Sequence, residues 1–391
     1  MWQMSRRVAL KTCSGLLAGP AVSLNSAWGQ PNGGRAKRGG HDFGSIHEMM
    51  EKFITRHQIA GATLGVYHDG QQVIAQGYGL AEVEKNRPVK PETLFSLASV
   101  TKALTGVGVL KLVDEGKLDI NANVMQVLKD LHPLQKQKLA DPRFRKVTVH
   151  HLLFHGGGLP HDAKKVKGND DDDDGDSDDE IELQYRELLG HQLQFDPGTQ
   201  HAYSNAGFLV LRLVIEHVTG QKYEPFIQDN ILRPMGIKQI RMESPGDYLA
   251  DETHRYQAGG TKAAMRKTGN WLASGDEIAK FAAAVAGSGG KSFLSPGTTA
   301  LMLEQPASLK NQRKGSHVGL GWDSVEKVGN GHRFSKNGGK PGVQAWLEHL
   351  EYGVDWAVMF NTSSPKEGSK PVPEVRKLLY AKFQEILGIK G

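Results

Sequence analysis

Cysteine is almost absent: Cys13 is the single one among 391 residues. An internal disulfide and a cysteine-ligated zinc site are therefore excluded. An excess of one charge is also lacking, because the formal net charge of +5 falls to about +2 without Arg6, Arg7 and Lys11 near the N-terminus. So small a surplus gives no reason to expect nucleic-acid binding. With 38% hydrophobic residues, the chain has ample material for a globular core.

Long apolar runs are missing as well. The N-terminal stretch "SGLLAGPAVSL", residues 14–24, is too short and too interrupted for a membrane span. It follows the paired arginines of "SRRVALK", residues 5–11, and precedes small residues near Gly29. This order resembles a twin-arginine signal peptide over residues 1–29 and predicts export to the periplasm or to the exterior. A disordered basic tail is the alternative interpretation.

The rest of the chain divides by composition and pattern. Residues 30–42, "QPNGGRAKRGGHD", are typical of a flexible linker, and residues 43–388 of one folded domain. Strand patterns occur near both ends: two β-prone runs around the turn dipeptide Asp69-Gly70, and three runs within 332–361. Helical patterns fill the middle. We therefore expect an α+β fold, in which both groups of strands form one antiparallel sheet flanked by helices, beside a helix-rich lobe.

One segment, residues 168–180, carries nine acidic residues and no apolar side chain. It cannot pack into a core, so the composition predicts a solvated surface insertion without good helices beside it. A second interpretation is a weak calcium site, because Asp170, Asp172, Asp174 and Gly175 match the opening of a calcium loop. The glutamate that should close such a loop is displaced by one residue.

The segment "SLASVTKAL", residues 96–104, places Ser99 and Lys102 one helical turn apart. After Ser99, apolar residues continue at the 3, 4, 7 spacing of a helix, and we expect Ser96 to cap that helix. Residues three apart on a helix are neighbours, so the Lys102 amine can take the Ser99 proton. The same Ser-x-x-Lys spacing recurs, among Gly, Pro or turn residues, at Ser288, Ser324 and Ser363.

Two further motifs carry chemistry that complements this pair. Tyr203 and Asn205 form a Tyr-x-Asn motif that occurs once in the chain, directly before a long amphipathic helix pattern. Lys336-Asn337-Gly338 lies in a predicted strand. A phenol can relay protons, an asparagine can bind a substrate amide, and a lysine can hold a substrate carboxylate. Together with Ser-x-x-Lys, these motifs match a signature of serine acyl transfer.

With these motifs in this order, the chain resembles the serine β-lactamases and penicillin-binding-protein-like hydrolases. Class C β-lactamases and related D-alanyl-D-alanine carboxypeptidases and esterases are the nearest groups, and the resemblance covers roughly residues 45–388. It implies a serine hydrolase that acts without a cofactor, through an acyl-enzyme, on an ester, amide or lactam of a small-molecule or peptide substrate. A catalytically silent substrate-binding or sensor protein on the same fold is the alternative.

The resemblance also implies roles for individual residues. Ser99 would attack the carbonyl carbon, Lys102 and Tyr203 would share the proton transfers, and Asn205 would orient the substrate. The backbone N–H groups of Ser99 and Gly339 would form the oxyanion hole.

The strand motif departs from the family pattern in one place. Lys336 would hold a substrate carboxylate and Gly338 would let substrate lie against bare backbone, but Asn337 stands where Thr or Ser is usual. A lost hydroxyl beside that carboxylate predicts weak turnover of penicillins and cephalosporins and easier turnover of small activated esters.

Two other hydrolase classes fit the sequence less well. Histidines cluster at 150, 151, 155 and 161, but the H-x-H-x-D and H-E-x-x-H patterns of metallohydrolases are absent, so no zinc is expected at these histidines. The G-x-S-x-G nucleophile elbow of α/β-hydrolases is absent too.

Overall fold

A computed structural model describes residues 37–38, 41–131, 139–163, 178–244, 246–257, 270–309, 315–363 and 371–389, with the backbone alone at 37, 38, 41 and 178–180. The strands in these ranges are β1 Lys37–Arg38, β2 His41–Asp42, β3 Gly61–His68, β4 Gln71–Glu82, β5 Arg87–Pro88, β6 Phe95–Ser96, β7 Arg241–Met242, β8 Trp271–Ala273, β9 Ser316–His317, β10 Ser324–Val328, β11 Gly331–Lys340, β12 Val343–Leu350 and β13 Val354–Phe360.

The α-helices are α1 Ser45–Arg56, α2 Thr101–Asp114, α3 Val124–Val127, α4 Val149–Leu153, α5 Asp178–Leu189, α6 Asn205–Thr219, α7 Tyr223–Ile227, α8 Gly275–Ala286, α9 Pro296–Leu303 and α10 Pro371–Leu387. Within the described ranges, none of the helices has the length and apolar character needed to cross a bilayer.

The main sheet has eight antiparallel strands in the order β5-β4-β3-β13-β12-β11-β10-β9. Its N-terminal and C-terminal groups of strands meet where β3 pairs with β13. The β3–β4 hairpin turns at Asp69 and Gly70, whose φ angles of 50° and 72° suit a tight hairpin turn. The predicted α+β fold, with both groups in one antiparallel sheet, is confirmed.

The two faces of the sheet belong to two hydrophobic cores. Alternate side chains of a strand point to opposite faces, and β13 follows this rule. Ala357 and Met359 pack with α8 and the helical lobe. The residues of β13 that pack with the terminal helices α1 and α10, each 0–1% exposed, are Val354, Trp356, Val358 and Phe360. The sheet is thus the middle layer between the helix pair α1/α10 and the rest of the fold.

Helix α2 lies in the centre of the helical lobe and is buried on every side. All its residues from Lys102 to Leu110 are buried, which requires an apolar or small residue at nearly every position. The expectation that Ser96 caps this helix is wrong. Ser96 pairs with Leu272 in the small β6-β8-β7 sheet, and the N-cap position is Val100, which makes no side-chain cap hydrogen bond.

Two segments of special composition are partly described. In the segment predicted as a linker, β1 pairs with β2. In the acidic segment, α5 begins at Asp178, so the last three acidic residues start a helix and the expectation of no adjacent helix is wrong. The remaining acidic residues, including the proposed calcium ligands, lie outside the described residues, as does the proposed signal peptide.

Helix α8 approaches the sheet without a side chain between the two backbones. A Cβ on Gly65 of β3 would overlap the Gly275 carbonyl oxygen and lie 2.6 Å from the Asp276 nitrogen. The amide of Gly275 also donates to Thr63 Oγ1 at 3.2 Å. This contact sets the distance between α8 and the sheet.

We expect Gly65→Ala to lower the free energy of unfolding by about 2 kcal/mol or more, because both backbones would have to separate. Urea unfolding followed by circular dichroism measures the loss. The matched control is Gly297→Ala in α9, where a Cβ meets nothing within 4 Å. That change should leave stability equal or raise it by about 0.5–1 kcal/mol. Equal stability of both variants would contradict the backbone contact.

Candidate active site

Ser99 lies in a single 3₁₀ turn, Ala98–Val100, between β6 and α2. Ala98, the residue before it, has a φ of 44°, in the left-handed region that costs a residue with a side chain of the order of 1–3 kcal/mol. Pairing of β6 with β8 on one side and burial of α2 on the other hold the turn in this conformation. The turn therefore fixes where the Ser99 side chain leaves the backbone.

Lys102 follows on the first turn of α2, and its side chain is almost fully buried. Its Nζ donates to Asn205 Oδ1 at 2.7 Å and lies 3.5 Å from Ser99 Oγ. Burial, assisted by the nearby Lys336 ammonium, lowers the pKa of Lys102 to about 7. A neutral Lys102 amine is therefore available near neutral pH, and a neutral amine can accept a proton.

Tyr203 comes from the loop that precedes α6, and its O–H donates to Ser99 Oγ at 2.7 Å. Its ring packs against the buried His155 ring at a centroid distance of 4.4 Å and a tilt of 34°. Burial raises the pKa of Tyr203 to about 12, although the hydrogen bond to Ser99 opposes that rise. Tyr203 is consequently a neutral phenol at physiological pH.

The loop around Tyr203 is held by its neighbours. Ser204 caps α6, since its Oγ accepts from Gly207 N–H at 3.0 Å while donating to the Pro160 carbonyl at 2.6 Å. His155 Nδ1 accepts from Ser204 N–H at 3.1 Å, which requires that nitrogen to be unprotonated. Burial and the ammonium groups of Lys336 and Lys102 lower the pKa of His155 and keep it neutral. A neutral His155 thus positions the phenol.

Asn205 is the first residue of α6 and bridges two charged groups. Its Oδ1 accepts from Lys102, and its Nδ2 donates to Asp162 Oδ1 at 2.7 Å. The other Asp162 oxygen lies 2.6 Å from His161 Nδ1. Because both ends of the amide are engaged, its orientation is determined by these partners.

Strand β11 brings the third motif to the same place. Lys336 is 1% exposed, and its Nζ lies 5.4 Å from the centre of the Tyr203 ring. A Cβ on Gly338 would overlap the Leu97 carbonyl oxygen and come within 3.2 Å of the Ser99 nitrogen. The absence of a side chain at 338 therefore lets the strand lie directly against the nucleophile turn.

Positions 337 and 339 face the opposite side of β11 from positions 336 and 338. Asn337 is exposed, and a Cβ on Gly339 would meet nothing within 4 Å. Asn337 N–H points to the edge occupied by β10, and residues two apart on a strand present their N–H groups to the same edge. β10 begins at Ser324, which pairs with Ser335, so Gly339 N–H faces the edge beyond the end of β10. This direction suits an oxyanion donor.

A residue outside the predicted motifs completes the cluster. Asp323 binds the Lys336 ammonium with one carboxylate oxygen, and its other oxygen accepts from Asn337 N–H at 2.9 Å. The Lys336 side chain is 1% exposed, whereas that of Asp323 is 35% exposed. Burial lowers the pKa of Lys336, and Asp323 opposes that change.

The structure brings together all three sequence motifs: Ser99 with Lys102, Tyr203 with Asn205, and the Lys336 strand. Sequence reasoning missed His155, Asp162 and Asp323 as partners of these residues. His155 and Asp162 lie in or next to the histidine-rich loop, where no sequence pattern indicates contact with Tyr203 or Asn205. Asp323 follows the "GLGW" segment, which gives no sequence signal of contact with Lys336.

Metal-ligand geometry occurs elsewhere in the described part of the chain. Glu82, Glu84 and His254 offer ligand atoms within 4.8 Å of one another, and the histidines at 150–161 are not in this group. The Glu82 carboxylate already forms salt bridges with two side chains of the chain, to Lys85 Nζ at 3.0 Å and to Arg87 Nε at 3.3 Å. Nothing in this arrangement connects a metal to Ser99.

Curated proteins are similar to the chain over about half of its length. Esterase EstB of Burkholderia gladioli is 33% identical to the chain over 199 residues, 49% of the chain and 50% of EstB. Protein flp of Staphylococcus aureus (strain MW2) is 27% identical over 222 residues, 57% of the chain and 43% of flp. The chain spans about half, or less, of the length of these curated relatives.

Solved structures show the same fold. The D-amino acid amidase from Ochrobactrum anthropi SV3 complexed with L-phenylalanine amide has a TM-score of 0.67 at 18% identity, over 88% of this chain and 98% of that one. The family model described as Beta-lactamase matches residues 46–380, which include every residue of the candidate site. By that match, the chain belongs to the Beta-lactamase family.

Proposed function

We propose that the protein is a serine hydrolase that cleaves ester or amide bonds through a covalent acyl-enzyme on Ser99. The observation that carries this proposal is the environment of Ser99 Oγ, which accepts from the Tyr203 phenol and lies next to a lysine amine with a pKa of about 7. A hydroxyl becomes a nucleophile when a neighbouring base removes its proton. The name of the relative EstB, an esterase, supports the same reaction class.

Acylation follows from the positions of the donors and acceptors. Neutral Lys102 accepts the Ser99 proton as Oγ forms a bond to the substrate carbonyl carbon. The N–H groups of Ser99 and Gly339 stabilise the resulting oxyanion. Tyr203, whose pKa of about 12 keeps it protonated, donates to the departing alcohol or amine and regains a proton from Lys102. The bond between carbonyl carbon and leaving group breaks, and the acyl group stays on Ser99.

Deacylation uses the same groups in the reverse direction. A water molecule takes the place of the leaving group and gives a proton to Tyr203 as Tyr203 passes its own proton to Lys102, while the water oxygen bonds to the acyl carbon. The bond between the acyl carbon and Ser99 Oγ then breaks, and Lys102 returns the proton to Oγ as the acid product leaves. Asn205 holds the Lys102 amine during both steps, and its hydrogen bond to Asp162 prevents rotation of the amide.

We expect Ser99→Ala to reduce the hydrolysis of p-nitrophenyl butyrate by about 10³-fold or more and to abolish labelling by a fluorophosphonate probe. Mass spectrometry of the labelled protein identifies the modified residue. Ser288→Ala and Ser324→Ala, which remove serines of the same Ser-x-x-Lys spacing, serve as controls with retained activity. Labelling of another serine would disprove the assignment, and a wild type that neither labels nor hydrolyses would favour the silent binding protein.

We expect kcat/KM for a neutral ester to rise about tenfold per pH unit up to about pH 7 and then level off. The sign follows because the deprotonated amine of Lys102 is the base, and its pKa of about 7 sets where that form becomes dominant. Stopped assays between pH 5 and pH 9 measure the profile.

Lys102→Ala should lose activity about as completely as Ser99→Ala, since the two act as one unit. The matched control is Lys327→Ala, three residues after Ser324 on β10, which should leave the pH profile of kcat/KM unchanged. A flat profile, or activity of Lys102→Ala within about tenfold of the wild type, would show that Lys102 is not the base.

We also propose that the protein is exported by the twin-arginine route, on the basis of the "SRRVALK" segment. Residues 1–29 fused to a fluorescent reporter should carry it to the periplasm of a bacterial host. Replacement of both Arg6 and Arg7 by lysine should retain the reporter in the cytoplasm, whereas Lys11→Ala should not. Export that is unaffected by the paired substitution would refute this route.

A further inference from the structure

The carboxylate-binding position of the strand motif is filled by the protein itself. The Lys336 ammonium, which the family resemblance assigns to a substrate carboxylate, is bound to Asp323. The second Asp323 oxygen accepts from Asn337 N–H at 2.9 Å. One carboxylate of the chain thus binds both the Lys336 ammonium and the Asn337 N–H.

Asp323 is held in place from both sides. Its own amide donates to the Ser335 carbonyl at 3.0 Å, which aligns it with the end of β10. The preceding residue, Trp322, is 3% exposed and packs edge-on against Phe334 at a centroid distance of 4.6 Å. The backbone at 323 is therefore fixed, and the carboxylate itself is held by its bonds to the Lys336 ammonium and the Asn337 N–H.

The local charge adds to this effect. The charges of Lys336 and Asp323 cancel each other, and the reacting form of Lys102 is neutral. The Asp162 carboxylate, which contacts His161, lies beyond Asn205. A substrate carboxylate in this place would meet an engaged ammonium and like charges, and a poorly solvated charge without a partner is costly. An uncharged group would meet no such cost.

We propose that Asp323 is a specificity-determining residue: it stands in for a substrate carboxylate and restricts the site to acyl donors without one, that is, to uncharged esters and amides. The inference rests on the proposed function, because it concerns the leaving-group side of the same acyl transfer.

The experiment compares two substrates that differ in one charge. One is the phenylacetate ester of meta-hydroxybenzoic acid, and the other is the same ester with its carboxylate capped as a methyl ester. The wild type should prefer the capped ester. Asp323→Asn, which keeps the shape and removes the charge, should raise the ratio of kcat/KM for the acid to that for the capped ester by about tenfold or more, as the substrate carboxylate reaches Lys336.

Three variants show whether that gain works through the proposed contact. Asp323→Glu keeps the charge and should keep the wild-type preference. Glu326→Gln removes a partly exposed carboxylate three residues away on β10 and should change nothing. Lys336→Met in the Asp323→Asn background should abolish the gain. Equal losses on both esters in Asp323→Asn would mean that Asp323 only positions Lys336, and a wild type without preference for the capped ester would overturn the inference even if Asp323→Asn did not fold.

Failure of the proposed function would look different. Neither ester would be hydrolysed and no fluorophosphonate would bind, whereas failure of the inference leaves both reactions intact. Calorimetry in the Ser99→Ala background then tests the inference without turnover, with the acid ester as the probe. Tighter binding of that probe after Asp323→Asn, by about tenfold, supports the inference, and unchanged binding rejects it.

Discussion

Gly338 of β11 lies with its bare backbone against the turn that carries Ser99, where a Cβ would overlap the Leu97 carbonyl oxygen. This close approach joins the sheet to the helical lobe at the point where the candidate site forms. It brings Lys336 under the Tyr203 ring and turns the Gly339 N–H toward the same edge as the Asn337 N–H. The position of Lys336 beside Tyr203 and the meeting of the two oxyanion donors depend on this contact between strand and turn.

Burial is what changes the chemistry of the side chains collected there. An exposed lysine is protonated at neutral pH, but the buried Lys102, with the Lys336 ammonium nearby, has a pKa of about 7. Tyr203 responds in the opposite direction and stays neutral. Asp323 reduces the free-energy cost of burying the Lys336 ammonium. Because the same ion pair occupies that ammonium, Lys336 is no longer available to bind a substrate carboxylate.

Much of the fold was predictable because its signals are local. The turn dipeptide Asp69-Gly70 and the alternation along the C-terminal strands indicated the hairpin and the sheet, and the spacing after Ser99 indicated α2. The cap expected at Ser96 is absent, since Ser96 pairs with Leu272 of β8, a residue far away in the chain. No local sequence pattern indicates such a long-range strand pairing.

By itself, the sequence determined which residue types could perform acyl transfer and in what order they occur: Ser99 with Lys102, Tyr203 with Asn205, and Lys336 with Gly338. Those assignments come from short motifs whose members are at most a few residues apart. The tertiary structure alone decided that His155 supports Tyr203, that Asp162 orients Asn205, and that Asp323 neutralises Lys336. The physical reason is that these partners meet only when loops, lobe and sheet pack together, and that pKa values and charge pairing depend on burial, which no linear pattern specifies.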